Sequence, residues 1–218
     1  MDEIIRNLAV AALPILFGLA IHEASHAYAA RYFGDTSPEL DERLTLNPVK
    51  HIDPFGTILL PLVTYMAFQI PFGYARPVIF EGDKMRHPRR DLALTWLAGP
   101  ASNLVQALAW MLFGILLGAA GVSEPFPHLM ADAGVAINLI IFALNILPIP
   151  PLDGGSALAI ALLPEKLSDQ INRWAPFGLG LVLVLAVTHQ LVPIIKPIMH
   201  AAYQLLRYIA YPFIVLAN

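Results

Sequence analysis

Four long apolar stretches dominate the pattern of hydrophobic and polar positions along the chain, and polar segments separate them. They cover about residues 7–32, 92–120, 130–163 and 176–216. Each supplies the roughly 20 residues that a helix needs to cross a bilayer. The third is interrupted at NILPIPPLDGG, and the fourth near Pro193 and Pro197, so that it forms one or two helices. The pattern predicts an all-α polytopic membrane protein.

A fifth apolar run, 55–72, is shorter and is punctuated by proline and glycine. The loop after the first stretch carries Arg31, Arg43 and Lys50, and the segment 73–91 carries five further Lys or Arg residues. Such residues concentrate in cytoplasmic loops. A complete crossing at 55–72 would place the two basic loops on opposite sides of the membrane. We therefore expect a re-entrant segment on the cytoplasmic side, with its backbone covered by other helices.

The residues around this run, 54–72 and GYARPVIF at 73–80, include β-favouring types beside Pro and Gly. One interpretation is a partly buried, β-like edge that pairs with an extended peptide. The other is an ordinary cytoplasmic loop with a hydrophobic anchor. The sequence favours neither.

Composition supports the membrane prediction and removes several functions. Hydrophobic residues make up 57% of the 218 residues and charged residues 13%, and the mean hydropathy is +0.65. Soluble domains contain about 25% charged residues. The net charge of −3 leaves no polybasic surface, so we expect no nucleic-acid partner. Because the chain has no cysteine, any metal must be bound by His, Asp, Glu or Asn side chains.

The first apolar stretch contains the sequence HEASH, with His22, Glu23 and His26. On a helix the two histidines project from one face a turn apart, which suits two imidazole ligands of one zinc ion. Glu23 is rotated away from this pair and is placed to accept a proton from a water that the metal activates. The alternative is a chance match in which a histidine only bonds a neighbouring helix. The cost of three ionisable groups at membrane depth favours the metal.

Catalytic zinc sites usually have three protein ligands, so one more is needed. Two acidic residues lie in the interrupted third stretch, Asp132 near its start and Asp153 at its break. Asp153 is the better candidate, because the prolines before it stop a helix and Gly154 and Gly155 free the backbone after it. The alternative role for Asp153 is the N-cap of a helix that restarts at 155–163.

HEASH at 22–26 and NILPIPPLDG at 145–154 together resemble the two signatures of the site-2 protease family, the intramembrane zinc metalloproteases. Other segments also resemble small members of the family that lack a PDZ domain. These segments are NPVKHIDPFGTILLPL at 47–62, GYARPV at 73–78, and AGPASN at 98–103. Tyr74 and Arg76 depart from the Trp and Lys that relatives more often have. The resemblance covers about residues 15–165.

The resemblance implies a three-helix catalytic core at about 7–32, 92–120 and 130–163. One Zn²⁺ per chain would be bound by His22, His26 and Asp153, and Glu23 would act as general base. Asn145 would bind the substrate backbone, although an interhelical hydrogen bond explains it equally well. The active site would lie in the membrane towards the cytoplasmic side, and the substrates would be transmembrane proteins.

The resemblance therefore predicts a metalloprotease core at 1–165, which includes the re-entrant segment and loop at 54–80. The C-terminal transmembrane helices predicted at 166–218 lie outside this core and could gate access to the active site. Asn103 is expected to be structural. The remaining polar residues are expected at interfaces or in solvated loops. They are His51, His87, His128, His189, His200, Asp35, Glu39, Asp41 and Glu42.

Two other functions compete with this prediction. A metal transporter or a non-proteolytic zinc-binding membrane protein would carry a chain of ionisable residues across the membrane, and the sequence suggests only one cluster. An inactive scaffold that binds transmembrane helices would not need Glu23 beside a complete set of three ligands.

Overall fold

The computed structural model describes residues 2–59 and 76–217, and within them the fold is helical with no β-strand. The helices α1 to α8 are Asp2–Phe33, Pro38–Asp41, Pro88–Ala119, Pro125–Asn145, Asp153–Leu162, Glu165–Arg173, Ala175–Val187 and Leu191–Ala217. Short 3₁₀ turns lie at Pro48–His51 and Gly82–Lys84, and a π-helical turn lies at Pro54–Leu59.

Three helices are long and apolar enough to cross a membrane: α1 from Arg6, α3 and α4. A fourth span is possible if α7 and α8 are counted as one bent crossing. Large apolar side chains such as Leu8, Val105 and Leu116 point outwards, as lipid-facing side chains do. The prediction of an all-α polytopic membrane protein is therefore confirmed.

The third apolar stretch is two helices. α4 ends at Asn145, residues 146–152 are not helical, and α5 begins at Asp153. A side chain at Gly154 would overlap the Ile146 carbonyl. Gly154 was expected to free the backbone after Asp153, but it lies in a regular helix and instead allows residues 146–152 to pack closely against α5. The residue that caps α5 is Leu152, so the N-cap interpretation of Asp153 is wrong by one position.

The break in the last apolar stretch lies at Thr188–Gln190, between α7 and α8, where the chain bends by 93°. The break predicted near Pro193 and Pro197 therefore lies a few residues earlier in the chain. Pro193 instead occupies the first turn of α8, where its missing N–H has no partner to lose. Pro197 lies within the same continuous helix.

Small residues bring the central helices together. Ala24, Ala27 and Ala30 of α1 are fully buried, and a side chain at Gly18 would lie 3.1 Å from Ile141 of α4. α8 packs against α3 and α4 through a cluster of apolar side chains. The buried members of this cluster are Ala107, Leu139, Ala202 and Leu206. The bundle therefore places α4 between α1 on one side and α8 on another.

Two polar residues that were expected at the surface are buried. Asp35 is 0% exposed, and its carboxylate accepts hydrogen bonds from Ser37 N–H at 2.9 Å, Ser37 Oγ–H at 2.7 Å and Glu81 N–H at 2.7 Å. His51 is 2% exposed, and its Nε2 lies 2.9 Å from the Thr45 carbonyl. The expectation was wrong because the loops fold onto the end of α1. The re-entrant prediction for 55–72 falls largely outside the described residues, and residues 76–80 form neither a helix nor a strand.

Candidate metal centre

His22 and His26 lie on one face of α1, as their spacing predicts. Their Nε2 atoms are 3.2 Å apart, and both side chains are buried. Each ring uses its other nitrogen for a hydrogen bond to an oxygen acceptor: His22 Nδ1 lies 2.7 Å from Asn103 Oδ1, and His26 Nδ1 lies 2.7 Å from the Thr95 carbonyl. With Nδ1–H as donor, each Nε2 keeps a lone pair that can bind a metal ion.

A buried amide network fixes the orientation of His22. Asn103 Nδ2 donates to the Gly18 carbonyl at 3.0 Å and to Asn138 Oδ1 at 2.9 Å. Asn138 Nδ2 in turn donates to the Gly134 carbonyl at 2.9 Å. Because carbonyl oxygens only accept, this arrangement leaves Asn103 Oδ1 to accept from His22. Asn103 was expected to be structural, and it also holds a predicted metal ligand in one tautomer.

The approach of both imidazoles to α3 depends on Gly99. A side chain there would overlap His26 Nε2 and would lie 2.7 Å from His22 Cε1. Phe80 and Trp96, with ring centroids 6.2 Å and 5.9 Å from that of His26, form an aromatic wall beside it. The AGPASN segment thus supplies both the space for the rings and one of their hydrogen-bond partners.

Asp153, 127 residues after His26, completes the cluster. Its Oδ2 lies 3.0 Å from His22 Nε2 and 3.5 Å from His26 Nε2. Asp153 Oδ2 is buried and accepts no hydrogen bond among the described residues. The three atoms therefore form a group of electron-pair donors that could bind one metal ion.

The spacing of these atoms fits zinc. A tetrahedral zinc with bonds of about 2.0–2.1 Å holds its ligand atoms roughly 3.3 Å apart. The three distances in the cluster, 3.2, 3.0 and 3.5 Å, bracket this value. Two neutral imidazoles, one carboxylate and no thiolate form a donor set typical of catalytic rather than structural zinc.

Glu23 lines the same cavity as the three donors but is not one of them. Its Oε2 accepts a hydrogen bond from Val78 N–H at 3.1 Å, so the irregular segment 76–80 orients the carboxylate. No sequence motif signalled this contact, because the donor is a backbone N–H that any residue except proline would supply at position 78.

The cavity has a volume of about 430 Å³, within the usual range for ligand pockets. α4 contributes Asn145 to its wall, and α7 contributes Leu179. Asn145 Nδ2 donates to the Ile141 carbonyl of its own helix at 3.1 Å. This bond is neither of the two roles considered for Asn145, and it leaves the second amide hydrogen available. Asp132, the rejected third ligand, lines a different cavity.

A buried triad of two histidines and one aspartate, set among three or four apolar helices, defines this chain as an integral membrane protein with a candidate catalytic metal site. Known proteins allow a closer identification. The chain is 34% identical over 181 residues to the protein named "Putative zinc metalloprotease YwhC" of Bacillus subtilis (strain 168), which covers 81% of this chain and 79% of the relative.

Two mycobacterial relatives have similar names. The chain is 34% identical over 179 residues to "Putative zinc metalloprotease Rip2" of Mycolicibacterium smegmatis and over 154 residues to Rip2 of Mycobacterium tuberculosis. The matched regions span 64% and 56% of those two proteins. No protein-family model and no solved structure matches the chain. The chain belongs to the zinc metalloprotease family of these relatives, and zinc is its cofactor.

Proposed function

We propose that this protein is an intramembrane zinc endopeptidase of the site-2 protease type, which hydrolyses peptide bonds in or near transmembrane segments of other proteins. The observation that carries the proposal is the convergence of His22 Nε2, His26 Nε2 and Asp153 Oδ2 in a cavity that Glu23 also lines. His22 and Glu23 lie in the middle of a helix long and apolar enough to cross a bilayer.

In this proposal, His22, His26 and Asp153 hold the metal. Zinc, when bound, supplies a Lewis acid that polarises the scissile carbonyl and lowers the pKa of water. Glu23 accepts a proton from the attacking water and returns it to the leaving amine nitrogen. The Val78 N–H holds one carboxylate oxygen of Glu23, so that the carboxylate keeps a fixed orientation during the transfer.

Substrate binding follows from the backbone chemistry of a transmembrane helix. Its carbonyl and N–H groups are paired with each other, so the segment to be cleaved must unwind and find new partners in the enzyme. Asn145 has one amide hydrogen not used by Ile141 and lies on the cavity wall, which supports a role in binding the exposed substrate backbone or the oxyanion.

We further propose that two parts of the chain have different roles. Residues 1–165, with the segment 54–80, form the catalytic core, and 166–218 control access. Leu179 of α7 supports this role because it lines the cavity from outside the core. A bifunctional crosslink between Leu179→Cys and Leu144→Cys should reduce cleavage of a transmembrane peptide, and reduction of the crosslink should restore it. Unchanged cleavage in the crosslinked protein would contradict gating.

The cytoplasmic placement of the active site rests on the basic loops. A single cysteine at Lys84, in a chain that contains no other, gives a clean labelling site. We expect Lys84→Cys to react with an impermeant maleimide only when the cytoplasmic face is open. Labelling from the outer face of sealed vesicles would contradict the placement.

The transporter alternative lacks support in the geometry. It needs a continuous path of ionisable groups, whereas the other large polar cavity shares no lining residue with the metal cavity. Transport through the metal site would also leave the fixed orientation of Glu23 without a purpose.

Cleavage by Glu23→Gln is the decisive test of the function. The purified variant should keep about one zinc per chain and lose cleavage of a model transmembrane peptide by about 10²–10⁴-fold. Glu165→Gln, the same change on the exposed surface of α6, is the matched control and should cleave normally. Wild-type cleavage by Glu23→Gln would show that Glu23 is not the base. Cleavage by the wild type only outside the apolar segment would contradict the intramembrane part of the proposal.

A further inference from the structure

A second polar cavity, of about 700 Å³, lies between α3, α4 and α8. We call it the α4–α8 groove. Every Asp, Glu, Lys, Arg and His residue of α4 and α8 lines it. These residues are His128, Asp132, Lys196, His200 and Arg207. Ionisable side chains in membrane-spanning helices are costly and usually mark a functional site, so their collection in one groove requires an explanation.

The α8 side of the groove is a continuous polar stripe. Lys196, His200, Tyr203 and Arg207 are separated by four, three and four residues, which places them on one face of the helix. Over the 11 residues from Lys196 to Arg207 the stripe extends roughly 16 Å along the axis. An adjacent face of α8, with Ala202 and Leu206, is buried against α3 and α4.

The charged groups of the groove are not paired with one another. Asp132, Lys196 and Arg207 are exposed to the groove or its mouth, and their side chains form no hydrogen bond or ion pair with any other described residue. His128 uses only one ring nitrogen, Nε2, which lies 2.8 Å from the Val122 carbonyl. Among the residues that the structure describes, the groove therefore presents charged side chains without a protein partner.

The balance of charge favours an anionic ligand. Lys196 and Arg207 are basic side chains, and Asp132 is the single carboxylate among the described residues that line the groove. Both cations are hydrogen-bond donors that suit phosphate oxygens. Apart from His128, His200 and Tyr203, the rest of the wall is apolar, with Met111, Val135 and further aliphatic side chains. A ligand that matches both the cations and the apolar wall carries an anionic headgroup and an apolar chain.

The position of the groove separates its occupant from the peptide substrate. Asp132, Val135 and Leu139 of α4 face the groove, whereas Ile141 and Leu144 face the metal cavity on the opposite side of that helix. The two cavities share no lining residue. A segment that reaches the metal would have to pass around α4 to reach the groove, whereas the groove opens directly to the outer surface of the bundle, where Asp132, Lys196 and Arg207 are exposed.

We propose that the α4–α8 groove is a binding site for an anionic phospholipid, with its phosphate bound by the cations of the α8 stripe and its acyl chains along the apolar wall. Lys and Arg side chains bind phosphate oxygens through strong, charge-assisted hydrogen bonds. Asp132 opposes such a ligand and limits its affinity. The proposal does not depend on proteolytic activity.

Lipid binding to the full-length, zinc-loaded protein tests the proposal. Native mass spectrometry in neutral detergent would compare phosphatidylglycerol with phosphatidylcholine of identical acyl chains. The wild type should prefer phosphatidylglycerol by about tenfold. Lys196→Gln/Arg207→Gln should lose this preference while keeping the wild-type zinc content, which reports that the bundle has folded. Asp132→Asn should strengthen phosphatidylglycerol binding.

The matched control is Lys166→Gln/Arg173→Gln, which removes the same charge from the exposed surface of α6 outside the groove. It should keep the wild-type preference. Equal binding of the two lipids by the wild type, or a preference that survives Lys196→Gln/Arg207→Gln, would overturn the proposal. So would displacement of phosphatidylglycerol by inorganic phosphate alone, or by an acidic transmembrane peptide that binds in its place.

Discussion

The ionisable side chains on the two sides of α4 differ in burial and in pairing. On the side of the metal cavity, His22, His26 and Asp153 are buried and within 3.5 Å of one another, and protein hydrogen bonds fix the two rings. In the α4–α8 groove, Lys196 and Arg207 are exposed and form no ion pair or hydrogen bond with another described residue. Buried converging donors of electron pairs indicate a cation as ligand, whereas unpaired cations indicate an anion. The membrane makes both patterns informative, because neither is stable without a partner.

A side chain at Gly99 should cause the largest loss of zinc affinity. Gly99→Ala would push a methyl group into both imidazoles, so zinc affinity should fall by more than about 100-fold. Zinc content after dialysis against a graded chelator measures this loss. Gly118→Ala on the same helix meets no atom within 4 Å and should keep its zinc. Equal zinc retention by the two variants would contradict the close packing of the rings on α3.

Loss of the Asn103 amide should produce a smaller effect. Asn103→Ala leaves His22 Nδ1–H without its acceptor, and the ring can then rotate or change tautomer. Zinc affinity should fall by about 10–100-fold. The buried Gly18 carbonyl and Asn138 also lose a partner, which should cost about 1–3 kcal/mol of stability. Competition with a zinc-binding dye measures the affinity, and wild-type affinity would show that Asn103 only packs the helices.

A variant of Asn145 should distinguish substrate binding from metal binding. Asn145→Ala should leave zinc affinity unchanged, because its amide bonds only Ile141. Cleavage of a transmembrane peptide should fall about fivefold, the value of one neutral hydrogen bond of about 1 kcal/mol. Steady-state kinetics with the zinc-loaded variant measures this fall. A loss of zinc instead of activity would assign Asn145 to the metal site.

Asp35 differs from both sets of ionisable groups, because its buried carboxylate accepts hydrogen bonds from the protein itself. Burial acts to raise its pKa, but the Glu81 and Ser37 donors outweigh this and hold the pKa below the usual value of 3.8. The ionised form therefore contributes stability that is present above about pH 3.8 and is lost as the pH falls below it. The melting temperature of Asp35→Asn should be lower than that of the wild type at pH 7. The difference between the two melting temperatures should shrink once the pH falls below about 3.8. An unchanged difference would contradict the contribution of the charge.

The sequence predicted the elements that have a local signature. The long apolar stretches gave α1, α3 and α4, and HEASH placed two imidazoles on one face because helix geometry alone determines it. The break in the last stretch was placed near the prolines, although Pro193 is compatible with the first turn of α8. The short helix α6 was not predicted, since its polar sequence lacks the length and apolar pattern of a span.

The missed parts of the site depend on contacts between distant segments. Asn103 lies 81 positions from His22, and Val78 lies 55 positions from Glu23. Neither pairing follows from spacing along one element. The burial of Asp35 likewise depends on Glu81, whose backbone N–H supplies a donor from a separate loop.

The most direct test of the central claim is the position of zinc in crystals of the full chain, measured by anomalous scattering at the zinc edge. We expect one strong peak per chain within bonding distance of His22 Nε2, His26 Nε2 and Asp153 Oδ2. A chain whose zinc peak lies elsewhere, for example beside His128 and Asp132 in the α4–α8 groove, would contradict the assignment of the metal centre and the mechanism built on it.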